Sequence, residues 1–235
     1  ITTDIQAVSI LLARWSSPSQ LPLLEKVFAR FVEAEKGTAG YNFLIGLGWH
    51  PTMLLTFSAG IAALSARKYD ALNTIFMTRA GVEGRRKANE PVLEQWVDAI
   101  TDISDVYKSL PGHDRNYVPR SEYLYKAAQP AIEDLLFVGA SYENLFDRLE
   151  IFVALTYADI YSRKGGRTWG PPGRFAWKHS GRSRGDSPYD KFLEEAKLAG
   201  GQWEPLKHGF FQGSYPRFEE IALGYKAMLD NLNWW

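Results

Sequence analysis

Cysteine is absent from this chain of 235 residues, which excludes disulfide frameworks, cysteine-based zinc sites and thiol nucleophiles. Net charge is absent as well, because 27 Lys and Arg residues balance 27 Asp and Glu residues. The charge of the whole molecule therefore predicts no polyanionic partner. Histidine is scarce, and its four residues do not form the H-E-x-x-H pattern of a zinc site. We expect no cofactor, and a chain without cysteine suits a reducing, cytoplasmic compartment.

A membrane-length apolar run is also missing. Ionisable side chains are sparse from Thr38 to Ala66, but the sequence GLGWHP at Gly46–Pro51 divides that stretch. The part that follows, Pro51 to Ala66, is shorter than the roughly 20 residues needed to span a bilayer. We therefore interpret it as a buried helix of a soluble protein and expect no membrane partner.

Helical spacing of apolar residues dominates what is present, as at Ile5, Val8, Leu11, Leu12 and Trp15. Similar stripes recur along the chain, and several begin with Ser, Asn or Pro, which is typical of helix N-termini. The one short extended piece that we expect is RFAWKH, Arg174 to His179. The sequence predicts an all-α fold, a multi-helix bundle of antiparallel helical hairpins with one long basic loop that contains Gly and Pro.

Positive charge is concentrated in that loop, which we call the basic segment (residues 161–186). Seven cations and no acid lie between Tyr161 and Gly185. Arginine forks pair with phosphates, aromatic rings stack on bases, and glycines let backbone N–H groups approach an anion. The candidate ligand-binding or nucleic-acid-binding residues are Arg163, Lys164, Arg167, Trp169, Arg174, Trp177, Lys178, Arg182 and Arg184.

A second interpretation of the basic segment is that its cations pair with acidic helices of the same fold and its aromatics anchor it to the core. The excess of acids in the rest of the chain supports this interpretation. The spacing matches neither a P-loop nor G-x-G-x-x-G, so no specific nucleotide motif is present. We favour internal pairing and keep the binding interpretation open.

An acidic stripe lies at helix spacing, at Asp98, Asp102 and Asp105. Carboxylates on one helical face can share a divalent cation, so these three residues are the metal candidates. The same pattern is more typical of a solvated helix face or of the partner of a basic loop. Glu143, Asp147 and Glu150 follow a similar spacing, and the same alternatives apply to them.

We expect the basic segment to mark a domain boundary. It would separate a helical body at residues 1–160 from a C-terminal helical subdomain at residues 187–235, unless the body, the basic segment and the subdomain form one continuous domain.

A catalytic motif is not found, since TFSAG around Ser58 lacks the first glycine of a nucleophile elbow and lies in a helical pattern. We therefore lean away from an enzyme.

Three phrases carry a resemblance: HPTMLLTFSAGIAALSARKYDALNTIF, NLFDRLEIFVALTYADI and GPPGRFAWKH. They resemble helical C-terminal regions of multidomain bacterial proteins whose N-terminal SIR2-like, TIR-like or ATP-binding module carries the chemistry. Many of those proteins are thought to act in anti-phage defence. The resemblance covers about residues 50 to 180, and it transfers no catalytic residue.

Two functions follow as expectations. The first is a non-catalytic helical regulatory, sensing or protein-interaction domain of a larger bacterial protein, with other domains of the same longer chain or a second copy as partners. The alternative is a nucleic-acid or nucleotide-binding module that uses the 163–184 part of the basic segment.

Overall fold

The computed structural model describes residues 2–34, 46–81, 89–101, 104–180 and 187–232. Over these ranges it contains twelve α-helices and four short 3₁₀-helices, and the described residues form no strand or sheet. An isolated bridge joins Arg79 and Pro91. The prediction of an all-α, multi-helix fold is confirmed. Within the described ranges, every helix is either too short or too polar to traverse a bilayer.

The chain divides into two compact units, Ile1–Tyr142 and Glu143–Trp235. The helices of the first unit are α1 (Thr2–Trp15), α2 (Leu21–Ala34), α3 (His50–Ser65), α4 (Tyr69–Met77), α5 (Val92–Thr101), α6 (Ser104–Lys108) and α7 (Pro119–Leu136). Those of the second unit are α8 (Tyr142–Arg163), α9 (Arg174–Ser180), α10 (Pro188–Ala199), α11 (Glu204–Lys207) and α12 (Tyr215–Asp230).

Helix α3 is the centre of the first unit. Its residues from Leu55 to Leu64 are all buried, and it packs against α1, α4 and α7. Small side chains along α3 let these neighbours approach closely. Two hydroxyls on α3 have partners in the same unit: Gln6 Nε2 donates to Ser58 Oγ at 2.7 Å, and Thr56 donates to the carbonyl of Thr52 at 2.8 Å. The buried hydroxyl of Thr52 has no hydrogen-bond partner among the described residues. Pairing of the other two lowers the cost of burying polar groups in an apolar helix.

Helix α8 is the centre of the second unit, because its residues from 149 to 160 are all buried. Beside it lies an aromatic cluster in which the ring centroids of Phe152 and Phe192 are 5.1 Å apart and those of Trp203 and Phe218 are 4.7 Å apart. Large aromatic side chains bury much apolar area for each residue ordered. This cluster therefore supplies much of the core of the second unit.

Residues Arg174 to His179 are helical, and the expectation of a short extended piece there is wrong. They form α9, which follows two prolines and Gly173. The backbone N–H of Arg174 donates to Glu150 Oε2 at 2.7 Å. A carboxylate placed there satisfies an amide that the first turn of a helix leaves without an intrahelical acceptor. The sequence RFAWKH is so short that its alternation of apolar and polar residues cannot distinguish a strand from a helix.

The boundary between the compact units lies at Tyr142/Glu143, and the division of the chain at the basic segment, or one continuous domain, stays a prediction. Helix α8 belongs to the same unit as the basic segment. Its acidic residues pair with cations of that segment, as described below, so the two must be treated as one structure.

Three glycines of the basic segment lie where a side chain has no room. A methyl group at Gly170 would overlap the carbonyl oxygen of Ala154, one at Gly173 would overlap the carboxylate of Glu150, and one at Gly166 would overlap the ring of Tyr161. These glycines therefore let the segment pack closely on α8.

We predict that Gly170→Ala destabilises the protein by about 2 kcal/mol, because the methyl group meets backbone atoms that cannot rotate away. Urea unfolding monitored by tryptophan fluorescence measures this difference. Gly201→Ala is the matched control, since a methyl group at Gly201 meets nothing within 4 Å, and it should change stability by less than about 0.5 kcal/mol. Equal effects of the two substitutions would contradict the close packing.

Candidate functional site

Three of the described cations of the basic segment, Arg163, Arg174 and Lys178, lie against carboxylates of α8. Lys178 Nζ is 2.6 Å from Glu143 Oε1 and 2.5 Å from Asp147 Oδ2. The Arg174 guanidinium lies 3.3 Å from Glu143 Oε1. The acids at 143 and 147 are one turn apart on α8, so a single lysine reaches both. These contacts agree with the interpretation that we favour from the sequence, in which cations of the basic segment pair with acids of the same fold.

The Lys178–Asp147 pair is buried, with only 7% and 4% of the two side chains exposed. An ion pair is strong in such a place, but each partner becomes costly without the other. Burial raises the pKa of Asp147, and the neighbouring Lys178 lowers it by less. The hydrogen bond from Lys178 lowers the pKa of Glu143. The two carboxyls that share one lysine therefore differ in their affinity for a proton.

Glu150 and Asp159 are two further acids of α8, and they lie on opposite sides of the helix because two and a half turns separate them. Glu150 is buried and accepts the Arg174 amide, as described above. Asp159 is also buried, and its Oδ1 lies 2.7 Å from Arg217 Nε of α12, while its Oδ2 lies 3.3 Å from Arg163. The buried acids of α8 therefore take their donors from both the basic segment and α12.

The aromatics of the basic segment divide into anchored and exposed rings. Trp169 lies edge-on to Tyr157 of α8, with centroids 5.6 Å apart. Phe175 is fully buried and lies near Tyr189 and Tyr225. Trp177 is partly exposed. Two of these three rings therefore serve the core of the unit.

The remaining candidates have different surroundings. Lys164 and Arg167 are exposed, and no ion pair of Arg167 is found among the described residues. Arg182 and Arg184 lie outside the described residues. The structure thus places Arg163, Arg174 and Lys178 in internal ion pairs.

The metal candidates can be compared only in part. Asp98 lies on α5, whereas the side chains of Asp102 and Asp105 lie outside the described residues. Over the described ranges, no group of three His, Asp or Glu side chains has the arrangement of a metal site. The acidic stripe therefore stays a prediction.

Sequence reasoning missed a polar network around His179. His179 Nδ1 lies 2.8 Å from Ser187 Oγ, and His179 Nε2 lies 3.1 Å from Asp230 Oδ1. Lys226 approaches the same ring nitrogen at 3.2 Å. These residues lie on or beside α9, α10 and α12, so only the fold brings them together.

A serine, a histidine and an aspartate in contact invite comparison with a catalytic triad. Ser187, however, is fully buried, and its Oγ accepts the Asp190 amide at 3.0 Å as the N-cap of α10. A hydroxyl that caps a helix and has no exposed surface is a structural group. The network ties three helices of the second unit together.

We predict that Lys178→Met destabilises the protein by about 3 kcal/mol at neutral pH, because it leaves Asp147 buried without its cation. Since the pKa of Asp147 is raised in the folded state, the folded protein takes up a proton there more readily than the unfolded chain. The penalty should therefore shrink as the pH falls from neutral towards that raised pKa.

Denaturant unfolding at a series of pH values measures the effect of Lys178→Met. The control is Lys207→Met, which removes an exposed partner of Glu204 and should leave stability nearly unchanged. A penalty for Lys178→Met that grows as the pH falls would contradict the assignment of the buried charge to Asp147.

No family model, no curated protein and no solved structure matches the chain. The function must therefore be argued from the contacts, burial and charges of this chain's own residues.

Proposed function

We propose that this chain is a non-catalytic, all-helical interaction and regulatory module that associates with a second copy of itself through α1. The observation that carries the proposal is an exposed apolar stripe on that helix. The larger bacterial protein, the cytoplasmic setting and the role in anti-phage defence belong to the same proposal, and they rest on the resemblance described above.

The stripe consists of Val8, Leu11 and Trp15, whose exposed fractions are 48%, 44% and 57%. Intervals of three and four residues place these side chains on one face of α1. A contiguous group of large apolar side chains in water is unfavourable, and such groups mark interaction surfaces. Burying each of the three would contribute on the order of 1 kcal/mol.

Helix α1 is held firmly enough to present this stripe. Its opposite face is buried, including Ile10 and Ala13, and packs against α3. Arg14 donates to Ser65 Oγ of α3, and its guanidinium lies 5.1 Å from the centroid of the Trp15 ring. The cation thus braces the exposed ring in one position.

Apolar residues at intervals of three and four are the pattern by which one helix packs against another. Helix α1 has Asp4 in its first turn and Arg14 in its last turn. Two copies of α1 in antiparallel orientation would bring opposite charges and opposite helix-dipole ends together. A twofold dimer requires such a self-complementary surface.

The non-catalytic part of the proposal is supported by the surroundings of the polar groups. The cations at 163, 174 and 178 neutralise acids of their own unit, and Ser187 caps a helix. These residues have structural partners that account for their positions. The regulatory role follows from the resemblance, in which another module of the longer chain carries the chemistry.

We predict that the chain dimerises and that the double substitution Leu11→Gln/Trp15→Gln weakens dimerisation at least tenfold, which corresponds to about 1.4 kcal/mol. Sedimentation velocity over a range of concentrations measures the dissociation constant. Both residues are exposed, so the variant should keep the melting temperature of the parent chain at concentrations where both are monomeric. Leu198→Gln is the control, since Leu198 is 83% exposed on α10 in the other unit. A monomer at all concentrations, or a variant that dimerises like the parent, would overturn the proposal.

The alternative is a nucleic-acid or nucleotide-binding module. Lys164, Arg167 and Trp177 are exposed members of the basic segment that favour it. This alternative predicts saturable binding of labelled single-stranded DNA or RNA that weakens steeply with salt and with Arg167→Ala. Fluorescence polarisation at low and moderate salt measures it, and flat titrations would eliminate it.

A further inference from the structure

Hydrogen bonds fix a hydrogen on one nitrogen of the His179 ring. Ser187 Oγ lies 2.8 Å from Asp190 Oδ2, and because a carboxylate oxygen only accepts, the hydroxyl hydrogen lies in this contact. The same Oγ accepts the Asp190 amide at 3.0 Å. Its remaining lone pair faces His179 Nδ1 at 2.8 Å. Nδ1 therefore carries a hydrogen in both the neutral and the protonated ring.

The other ring nitrogen, Nε2, faces two partners with opposite requirements. Asp230 Oδ1, at 3.1 Å, only accepts and requires a hydrogen on Nε2. Lys226 Nζ, at 3.2 Å, only donates and requires a lone pair there. Because Nδ1 already carries a hydrogen, Nε2 has one only when the ring is protonated. Neutral His179 therefore accepts from Lys226, and protonated His179 donates to Asp230.

The surroundings of the ring accommodate both charge states. Only 8% of the His179 side chain is exposed, so its partners come mainly from the protein. Lys226 Nζ lies 3.5 Å from Asp190 Oδ1 and 3.6 Å from Asp230 Oδ1. When the ring is protonated, the ammonium group moves toward these oxygens, which limits the repulsion between the two cations.

Other ionisable groups near the ring leave the change of charge to the histidine. Helices α10 and α12 pack against α9. Among the described residues, their ionisable side chains around the ring are Tyr189, Asp190, Lys226 and Asp230. On α9 itself, Lys178 binds the acids of α8. Burial raises the pKa of Tyr189 well above its usual value, so its hydroxyl stays neutral. Histidine is the side chain that ordinarily changes charge near neutral pH.

We infer that this network is a proton-operated switch, in which neutral His179 binds α12 at Lys226 and protonated His179 binds it at Asp230. Asp230 lies in the last turn of α12, where the helix dipole does not favour a carboxylate. The bond from the protonated ring holds that turn to α9. This bond is present below the titration range of the ring and is lost as the pH rises through it. The inference is independent of self-association through α1, which uses a helix of the other unit.

The tautomer of the neutral ring tests the inference first. Long-range proton–nitrogen NMR spectra of the full chain, recorded from about pH 5 to about pH 9, distinguish a hydrogen on Nδ1 from one on Nε2 in each of the four histidines. His179→Gln assigns the signal of His179. We expect a hydrogen on Nδ1 alone at high pH and on both nitrogens at low pH. A neutral ring with its hydrogen on Nε2, or a ring that keeps one charge state throughout, would overturn the inference.

Hydrogen exchange of the Asn231 amide tests the consequence for α12. This amide donates to the carbonyl of Met228 at the end of the helix, and its protection is measured against an unstructured peptide at the same pH. Protection should rise about fivefold as His179 becomes protonated. Asp230→Ala, at a position with 55% of the side chain exposed, should fold and lose this rise. Glu219→Ala removes an exposed carboxylate earlier on α12 and should keep it. Protection that does not change as the ring titrates, or a rise that survives in Asp230→Ala, would contradict the switch.

Discussion

The second unit depends on the neutralisation of carboxylates that α8 buries. Asp147, Glu150 and Asp159 lie on a helix whose other buried residues are mostly apolar. A buried carboxylate needs a cation, a hydrogen-bond donor or a proton. Each of the three takes a different solution: a lysine for Asp147, a backbone amide for Glu150, and two arginines for Asp159.

This requirement explains why so much positive charge lies within a short stretch of a neutral chain. The backbone between α8 and α9 passes close to α8, and glycines at 170 and 173 make that approach sterically allowed. The anion that the glycine-rich backbone approaches is Glu150, an internal carboxylate. A composition that favours phosphate binding therefore serves internal packing here.

Much of this arrangement could be predicted from the sequence. The period of the apolar residues predicted the all-α fold, and the imbalance between seven local cations and a surplus of acids elsewhere predicted internal pairing as one alternative. The acids at 143, 147 and 150 already showed helical spacing. What the sequence could not decide was whether they face solvent or the basic segment, because that depends on how the chain turns after Arg163.

Other features depend on contacts between distant residues. Ser187, His179 and Asp230 meet only because α9, α10 and α12 pack together, and no local pattern marks them. The exposure of Val8, Leu11 and Trp15 could not be predicted from the sequence either, because an apolar helical stripe predicts burial. Only the structure shows which side of α1 faces the core.

The attachment of the basic segment to α8 is the central claim of this account, and the backbone amide of Arg174 reports it directly. We would measure native-state hydrogen exchange of that amide by NMR in the parent chain and in Glu150→Ala. The account predicts exchange slowed by roughly a thousandfold or more relative to an unstructured peptide, with much of that protection lost in the variant. An Arg174 amide that exchanges freely in the parent chain would contradict it.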